Sequence, residues 1–93
     1  MEIRKNRIKQ RLQDGKHVIA IENLNDPDLV ELFAPNDPHC FWFEGEHSIV
    51  NPQNIGDLTR ATDLINATSL VRVPRPEYQL IYHAFDLGAQ GVA

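Results

Sequence analysis

The sequence predicts an α/β protein built on a parallel β-sheet, and three observations carry that prediction. Strand-like runs at 17–22, 40–43 and 69–73 alternate with segments of helical period at 25–34, 51–66 and 77–88. The connections between them are a few residues long, which is the pattern of right-handed βαβ units. The run Cys40-Phe41-Trp42-Phe43 is apolar at every position, as expected of a parallel strand covered on both faces.

Taken in order, residues 2–14 read as a leading helix with a narrow apolar stripe of Ile3, Ile8 and Leu12, ended by Gly15 in the left-handed conformation. Its expected role is to cover the end of something larger. HVIAIE at 17–22 is a short β-branched strand. Asn25 or Asp26 then caps a helix that opens with Pro27, with Asp28 and Glu31 near the positive end of its dipole. Leu29, Val30, Leu32 and Phe33 form its expected buried face, and Ala34-Pro35 stops it. A turn at 36–39 leads into the central strand. Asn51-Pro52 repeats the Asx-Pro helix start, and Ile55, Leu58, Ala61, Thr62, Leu64 and Ile65 keep helical spacing. SLVRV at 69–73 is a third strand closed by Pro74. A further helix starts at Glu77, with Tyr78, Ile81, Ala84 and Phe85 inward, and ends at Gly88; 90–93 opens a fourth strand.

The chain of 93 residues is read as one partial domain, 1–16 being the leading helix and 17–93 the first βα units. A closed eight-stranded βα barrel takes about 250 residues, so three units and a strand stub amount to less than half of one. Such a sheet is either a piece of a longer protein or closes against another copy.

Composition narrows the function. A chain that is 42% hydrophobic and 24% charged is globular rather than disordered or fibrous. No apolar run approaches the roughly 20 residues of a membrane span, and the charged start lacks the apolar core of a secretory signal. Cys40 is the single cysteine, so neither an internal disulfide nor a cysteine zinc site is available, and a reducing cytoplasmic location is expected. The net charge is −4, yet six of the nine Lys and Arg lie between Arg4 and Lys16. Those charges run around the whole helix without interleaved aromatic residues, which disfavours nucleic acid as a partner.

The chemistry-bearing residues gather where strands end. After Phe43 the run switches at once to Glu44-Gly45-Glu46-His47, and Arg72 lies near the end of the third strand. Carboxyl ends of parallel strands are where such sheets place ligands. If the two strands are adjacent, an imidazole and a guanidinium converge on one small anion, with Glu44 and Glu46 beside them. Arg72 offers a planar fork matched to a carboxylate or enolate oxygen. A His next to carboxylates is a proton-transfer group near neutral pH, and the carboxylates could instead hold a hard cation such as Mg²⁺. The spacing does not choose among these roles. Structural roles also fit: solvated turn residues for Glu44 and Glu46, an ion pair for Arg72, a helix cap for His47. Arg72, inside an otherwise apolar strand, must still be aimed at something polar. His17, His39 and His83 have no companions at metal spacing and are read as structural; Arg75 is read as a surface charge. Gly88-Ala89-Gln90-Gly91 follows a helix and precedes a strand, the wrong order for a dinucleotide loop.

Three blocks are familiar together. Phe43-Glu44-Gly45-Glu46-His47-Ser48, then Leu70-Val71-Arg72-Val73-Pro74, then Asp86-Leu87-Gly88-Ala89-Gln90-Gly91-Val92 resemble the amino-terminal part of the HpcH/HpaI aldolases, which include 2-dehydro-3-deoxyglucarate and 4-hydroxy-2-oxoheptanedioate aldolase. The resemblance implies a (β/α)8 barrel of the phosphoenolpyruvate/pyruvate type, usually a homo-oligomer. It implies a carbon–carbon lyase that cleaves 2-oxo-4-hydroxy acids to pyruvate and an aldehyde with Mg²⁺, Mn²⁺ or Co²⁺. By the same resemblance His47 takes part in proton transfer, Arg72 holds pyruvate and its enolate, and Glu44 stands for the acid that positions the histidine. Two departures accompany it. Glu44 replaces the family's usual Asp, and the family's metal-binding Glu and Asp lie on strands beyond Ala93, so no metal ligand is assigned here. Residues 35–39 also differ from the family's small Ala-Gly-Phe-Asp turn. The alternative expectation is a non-catalytic aldolase fragment or a self-assembling half-barrel.

Overall fold

The computed structural model describes residues 3–93. It contains one sheet of four parallel strands, β1 (Ala20–Glu22), β2 (Cys40–Glu44), β3 (Thr68–Arg72) and β4 (Gly91–Val92), in spatial order β1-β2-β3-β4. The crossovers carry α2 (Pro27–Leu32), α3 (Ile55–Leu64) and α4 (Tyr78–Asp86), after a leading α1 (Arg7–Gln13). This is the alternating α/β arrangement that the sequence predicts. No helix among the described residues is long and apolar enough to cross a membrane.

Side chains alternate along each strand, so the register separates two faces. Phe41 and Phe43 of β2 and Val71 of β3 are buried with Val30, Ile55, Leu58, Ala61 and Ala84 of the helices. The rings of Phe41 and Phe43 stack at 6.0 Å, and Phe33 meets Phe41 edge-on at 6.3 Å. Truncating either buried Phe to Ala in such a core costs about 3–5 kcal/mol. The opposite face carries Cys40, Trp42 and Glu44 in register with Thr68, Leu70 and Arg72. Cys40 and Thr68 are buried there, whereas Trp42 and Leu70 are only half-buried. The expectation of a strand fully covered on both faces therefore holds on the helix side alone among the described residues.

The leading helix departs most from expectation. It starts at Arg7 rather than near residue 2, because the Asn6 side chain caps it by accepting the Lys9 N–H at 3.0 Å; Glu2 lies outside the described residues. Its stripe is not buried, with Ile3 93% and Leu12 60% exposed. Polar contacts hold it instead. The Arg7 N–H donates to Thr68 Oγ1 at 2.7 Å, Arg4 donates to Asp63 and to the Gly88 carbonyl, and the Gln90 amide donates to the Lys5 carbonyl. All of these lie at the amino-terminal end of the sheet, so the segment covers that end as expected.

Other boundaries shift for local reasons. β1 spans three residues because the Ile19 N–H donates to His39 Nδ1 instead of joining the ladder, which also gives His39 its structural role. Asp26 is the cap of α2, accepting the Asp28 N–H at 2.8 Å. Only Val30 of that helix is fully buried; Leu29 is 42% and Leu32 71% exposed. Asn51-Pro52 forms a turn before α3 rather than its first residues: Asn51 accepts the Gln53 N–H and Asn54 accepts the Asn51 N–H, both at 2.8 Å. In α3, Leu64 points to solvent, and in α4 Ala84 is buried while Tyr78 and Phe85 are exposed. The expected inward roles of Tyr78 and Phe85 are thus corrected: α4 meets the sheet through its small side, and its aromatic side faces out.

Candidate active site at the carboxyl rim

β2 ends on Glu44 and β3 ends on Arg72, and the two are partners in the parallel register. Sharing a position in the pleat, they emerge on the face away from the helices. Arg72 Nη1 donates to Glu44 Oε2 at 2.9 Å, and Nη2 lies 2.5 Å from Glu46 Oε2. The loop reaches this geometry through Gly45. Its N–H donates to the Arg72 carbonyl at 2.8 Å, and a Cβ there would stand 2.4 Å from that oxygen, so a side chain would push the loop off the end of β3.

Glu44 organises the loop as well as the arginine. Its Oε1 accepts the Glu46 N–H at 2.7 Å and the His47 N–H at 3.4 Å. The Glu46 N–H, with the Arg72 guanidinium and the His47 N–H behind it, holds the Glu44 carboxyl below the usual carboxylate range, against an opposing effect of burial that is second in size only to the Glu46 N–H. Glu44 therefore stays ionised at neutral pH. Glu44 binds the backbone N–H of His47, not its ring.

The imidazole has a different partner. His47 Nε2 lies 3.6 Å from Glu46 Oε1, and the His47 side chain is 72% exposed. Of the residues that the sequence singled out, Glu44 and Arg72 are in direct side-chain contact, and His47 joins them by its N–H on Glu44 and by its imidazole through Glu46. Glu46 is the member whose importance the sequence understated. Its spacing from Glu44 would keep it on the same face of a continuing strand, but the contact with Arg72 depends on Gly45 turning the chain. Arg75 pairs with Glu77 at 2.8 Å and remains at the surface; His47 makes no cap to α3, whose approach is closed by Asn51 and Asn54. A groove of about 490 Å³ adjoins the rim, lined by Glu46, Arg72, Val73, Arg75, Phe85 and Val92 among others.

Donor atoms of Glu44, Glu46 and His47 lie within 4.8 Å of one another, which invites a test for a divalent ion. Both oxygens of Glu44 and one of Glu46 are already engaged by N–H groups or the guanidinium. One carboxylate oxygen and one exposed imidazole remain. Mg²⁺ is commonly held through one or two carboxylates with water completing its shell; the one carboxylate oxygen left free here belongs to Glu46, already paired with Arg72, so these residues are weak ligands for such an ion by themselves.

No family model matches the sequence, and no curated protein matches it. Solved structures do. An HpcH/HpaI aldolase from Desulfitobacterium hafniense DCB-2 superposes with a TM-score of 0.82 at 25% identity, over 91% of this chain and 34% of that one. The citrate synthase SbnG gives 0.81 at 28% identity, over 91% and 35%. Macrophomate synthase gives 0.71 at 21% identity, over 97% and 31%, and speaks for the fold alone. The chain spans about a third of the length of each of these structures. In fold it is similar to an HpcH/HpaI aldolase and corresponds to part of that α/β barrel.

Proposed function

We propose that the rim of β2 and β3 is the anion-binding and proton-handling part of a carbon–carbon lyase site that cleaves 2-oxo-4-hydroxy acids to pyruvate and an aldehyde. One observation carries this reading: Arg72, in register with Glu44, is linked through Glu46 to His47 at the carboxyl end of a parallel sheet. Aldol cleavage breaks the C3–C4 bond. The C4 hydroxyl gives up its proton and becomes the aldehyde, and the bonding pair passes to the pyruvate fragment as an enolate. The charge that develops on the enolate oxygen must be met by fixed positive groups. Arg72 supplies one, held in place by two carboxylates. His47, exposed beside Glu46, carries the proton between the hydroxyl or methylene and solvent. Citrate synthesis also needs an enolate nucleophile, so the likeness to SbnG is compatible with the same chemistry.

Incubating pyruvate with the protein in deuterated buffer, with Mg²⁺, Mn²⁺ or Co²⁺ and without metal, tests the proposal. Exchange of the methyl protons that disappears in Arg72→Ala and His47→Ala supports it. Exchange unchanged in both variants overturns it.

A second reading, assembly with another copy as a half-barrel, is favoured by the half-buried Trp42 and Leu70 and by β1 and β4 each having one strand neighbour among the described strands. An open edge invites pairing. Sedimentation velocity across a concentration series distinguishes a self-associating species from a monomer.

A further inference from the structure

Arg72 carries two carboxylates, and the structure distinguishes them sharply. Glu44 is anchored: its side chain is 16% exposed, one oxygen takes two backbone N–H groups, and the other takes Arg72 Nη1. Glu46 has no such anchor. Its side chain is 33% exposed, one oxygen sits on Arg72 Nη2 and the other faces His47. A carboxylate held to a solvent-accessible guanidinium by one contact is weakly held, because water competes for both partners. An incoming carboxylate needs free guanidinium N–H groups; Nη1 is held by the anchored Glu44, and Nη2 is the nitrogen occupied by the unanchored acid.

We propose that Glu46 is a displaceable counter-ion and a positioning residue. The carboxylate of a 2-oxo acid takes its place on Arg72 Nη2, and Glu46, released from the guanidinium, is left to the imidazole of His47. The inference rests on the reading of Arg72 as the anion seat. It adds that substrate arrival and orientation of His47 are one event: the empty site keeps its arginine neutralised, and the filled site gives the histidine an undivided carboxylate. Glu44 keeps Arg72 aimed throughout.

Titrating pyruvate into the isotopically labelled protein by NMR, at fixed salt, tests this. The Arg72 guanidinium signals and the Glu46 side-chain carboxyl carbon are expected to shift together and saturate. Glu46→Gln, which removes the competing charge, is expected to bind pyruvate up to about fivefold more tightly. Glu77→Gln, which removes a carboxylate paired with Arg75 instead, is expected to leave affinity unchanged, and Arg72→Ala to lose binding. If Arg72→Ala loses binding but Glu46→Gln binds no more tightly, or Glu77→Gln tightens it equally, or the Glu46 carboxyl does not move, Glu46 is not displaced and the anion seat alone stands. If Arg72→Ala binds as the unaltered protein does, or the unaltered protein shows no saturable shift, the anion seat fails and the inference with it.

Discussion

Arginines stand at both ends of the sheet, and they are held in different ways. At the amino-terminal end Arg4 donates to the Gly88 carbonyl and to Asp63, and Arg7 donates to the Pro38 and Asn66 carbonyls and to Asp37. At the carboxyl rim the recorded partners of the Arg72 guanidinium are side-chain carboxylates, Glu44 and Glu46. A backbone carbonyl cannot leave without unfolding its segment, whereas a carboxylate on a flexible side chain can swing away. Similar residues therefore lock one end and keep the other open to exchange of partners. A hollow of about 550 Å³ lies at the locked end, where Arg4 is tied to Asp63, Arg7 to the Asn66 carbonyl and Gln90 to the Lys5 carbonyl. In βα barrels the carboxyl face carries ligands and the amino face carries stability, and the proposed site follows that division.

The comparison breaks first at the arginines. Arg72→Ala is expected to lower pyruvate proton exchange about 100-fold or more, while urea unfolding shifts by about 1 kcal/mol or less because its partners are partly solvated. A large stability loss without loss of exchange would reverse the assignment of the two ends. Gly45→Ala is expected to cost about 2 kcal/mol and weaken pyruvate binding together, since the added methyl collides with the Arg72 carbonyl. An unaltered melting curve would show that the loop crosses β3 less closely.

Arg7→Ala is expected to cost about 1 kcal/mol and to leave exchange intact. A chemical reporter sits beside it. Burial pushes the Cys40 thiol up to about 11, and Cys40 pairs in register with Thr68, which accepts the Arg7 N–H. Cys40 should therefore resist alkylation at pH 8 in the folded protein and react faster in Arg7→Ala, which keeps that N–H but loses the guanidinium contacts to Asp37, Pro38 and Asn66 that seat the segment; equal rates would mean that the segment does not seal this end.

The smallest expected effect concerns acid. Because the folded state holds the Glu44 carboxyl below its unfolded range, its ionised form stabilises the fold above the unfolded carboxylate value of about 4.3 and is lost as pH falls through the lower folded value. Stability should thus decline less steeply below pH 4 in Glu44→Gln than in the unaltered protein. Parallel declines would show that the Glu44 contacts do not form in solution.

Much of this arrangement was legible beforehand, and the failures share a cause. Asp26-Pro27, the apolar β2 run and the alternation of elements are local signals, and each reappears in the fold. The apolar spacing within α2 and α4 was also real, yet Leu29, Leu32, Tyr78 and Phe85 are exposed, as are Leu12 of α1 and Ile3 ahead of it. Helical period says which residues share a side, not whether a neighbour covers that side. At the site, Glu44, His47 and Arg72 stood out because charged residues interrupt or terminate apolar strands. Glu46 did not, because nothing in its spacing reveals that it touches both Arg72 and His47.

By itself the sequence determined the order and type of the elements and the placing of an acid, an imidazole and a guanidinium at strand ends, since these follow from side-chain period, caps and breakers within a few residues. Only the tertiary structure decided that Glu44 meets Arg72, that Gly45 passes within hydrogen-bonding distance of β3, and that one carboxylate of Arg72 is anchored while the other is not. Those facts depend on strand register and on contacts between residues 28 positions apart, and pairing across such distances is set by the packing of the whole sheet.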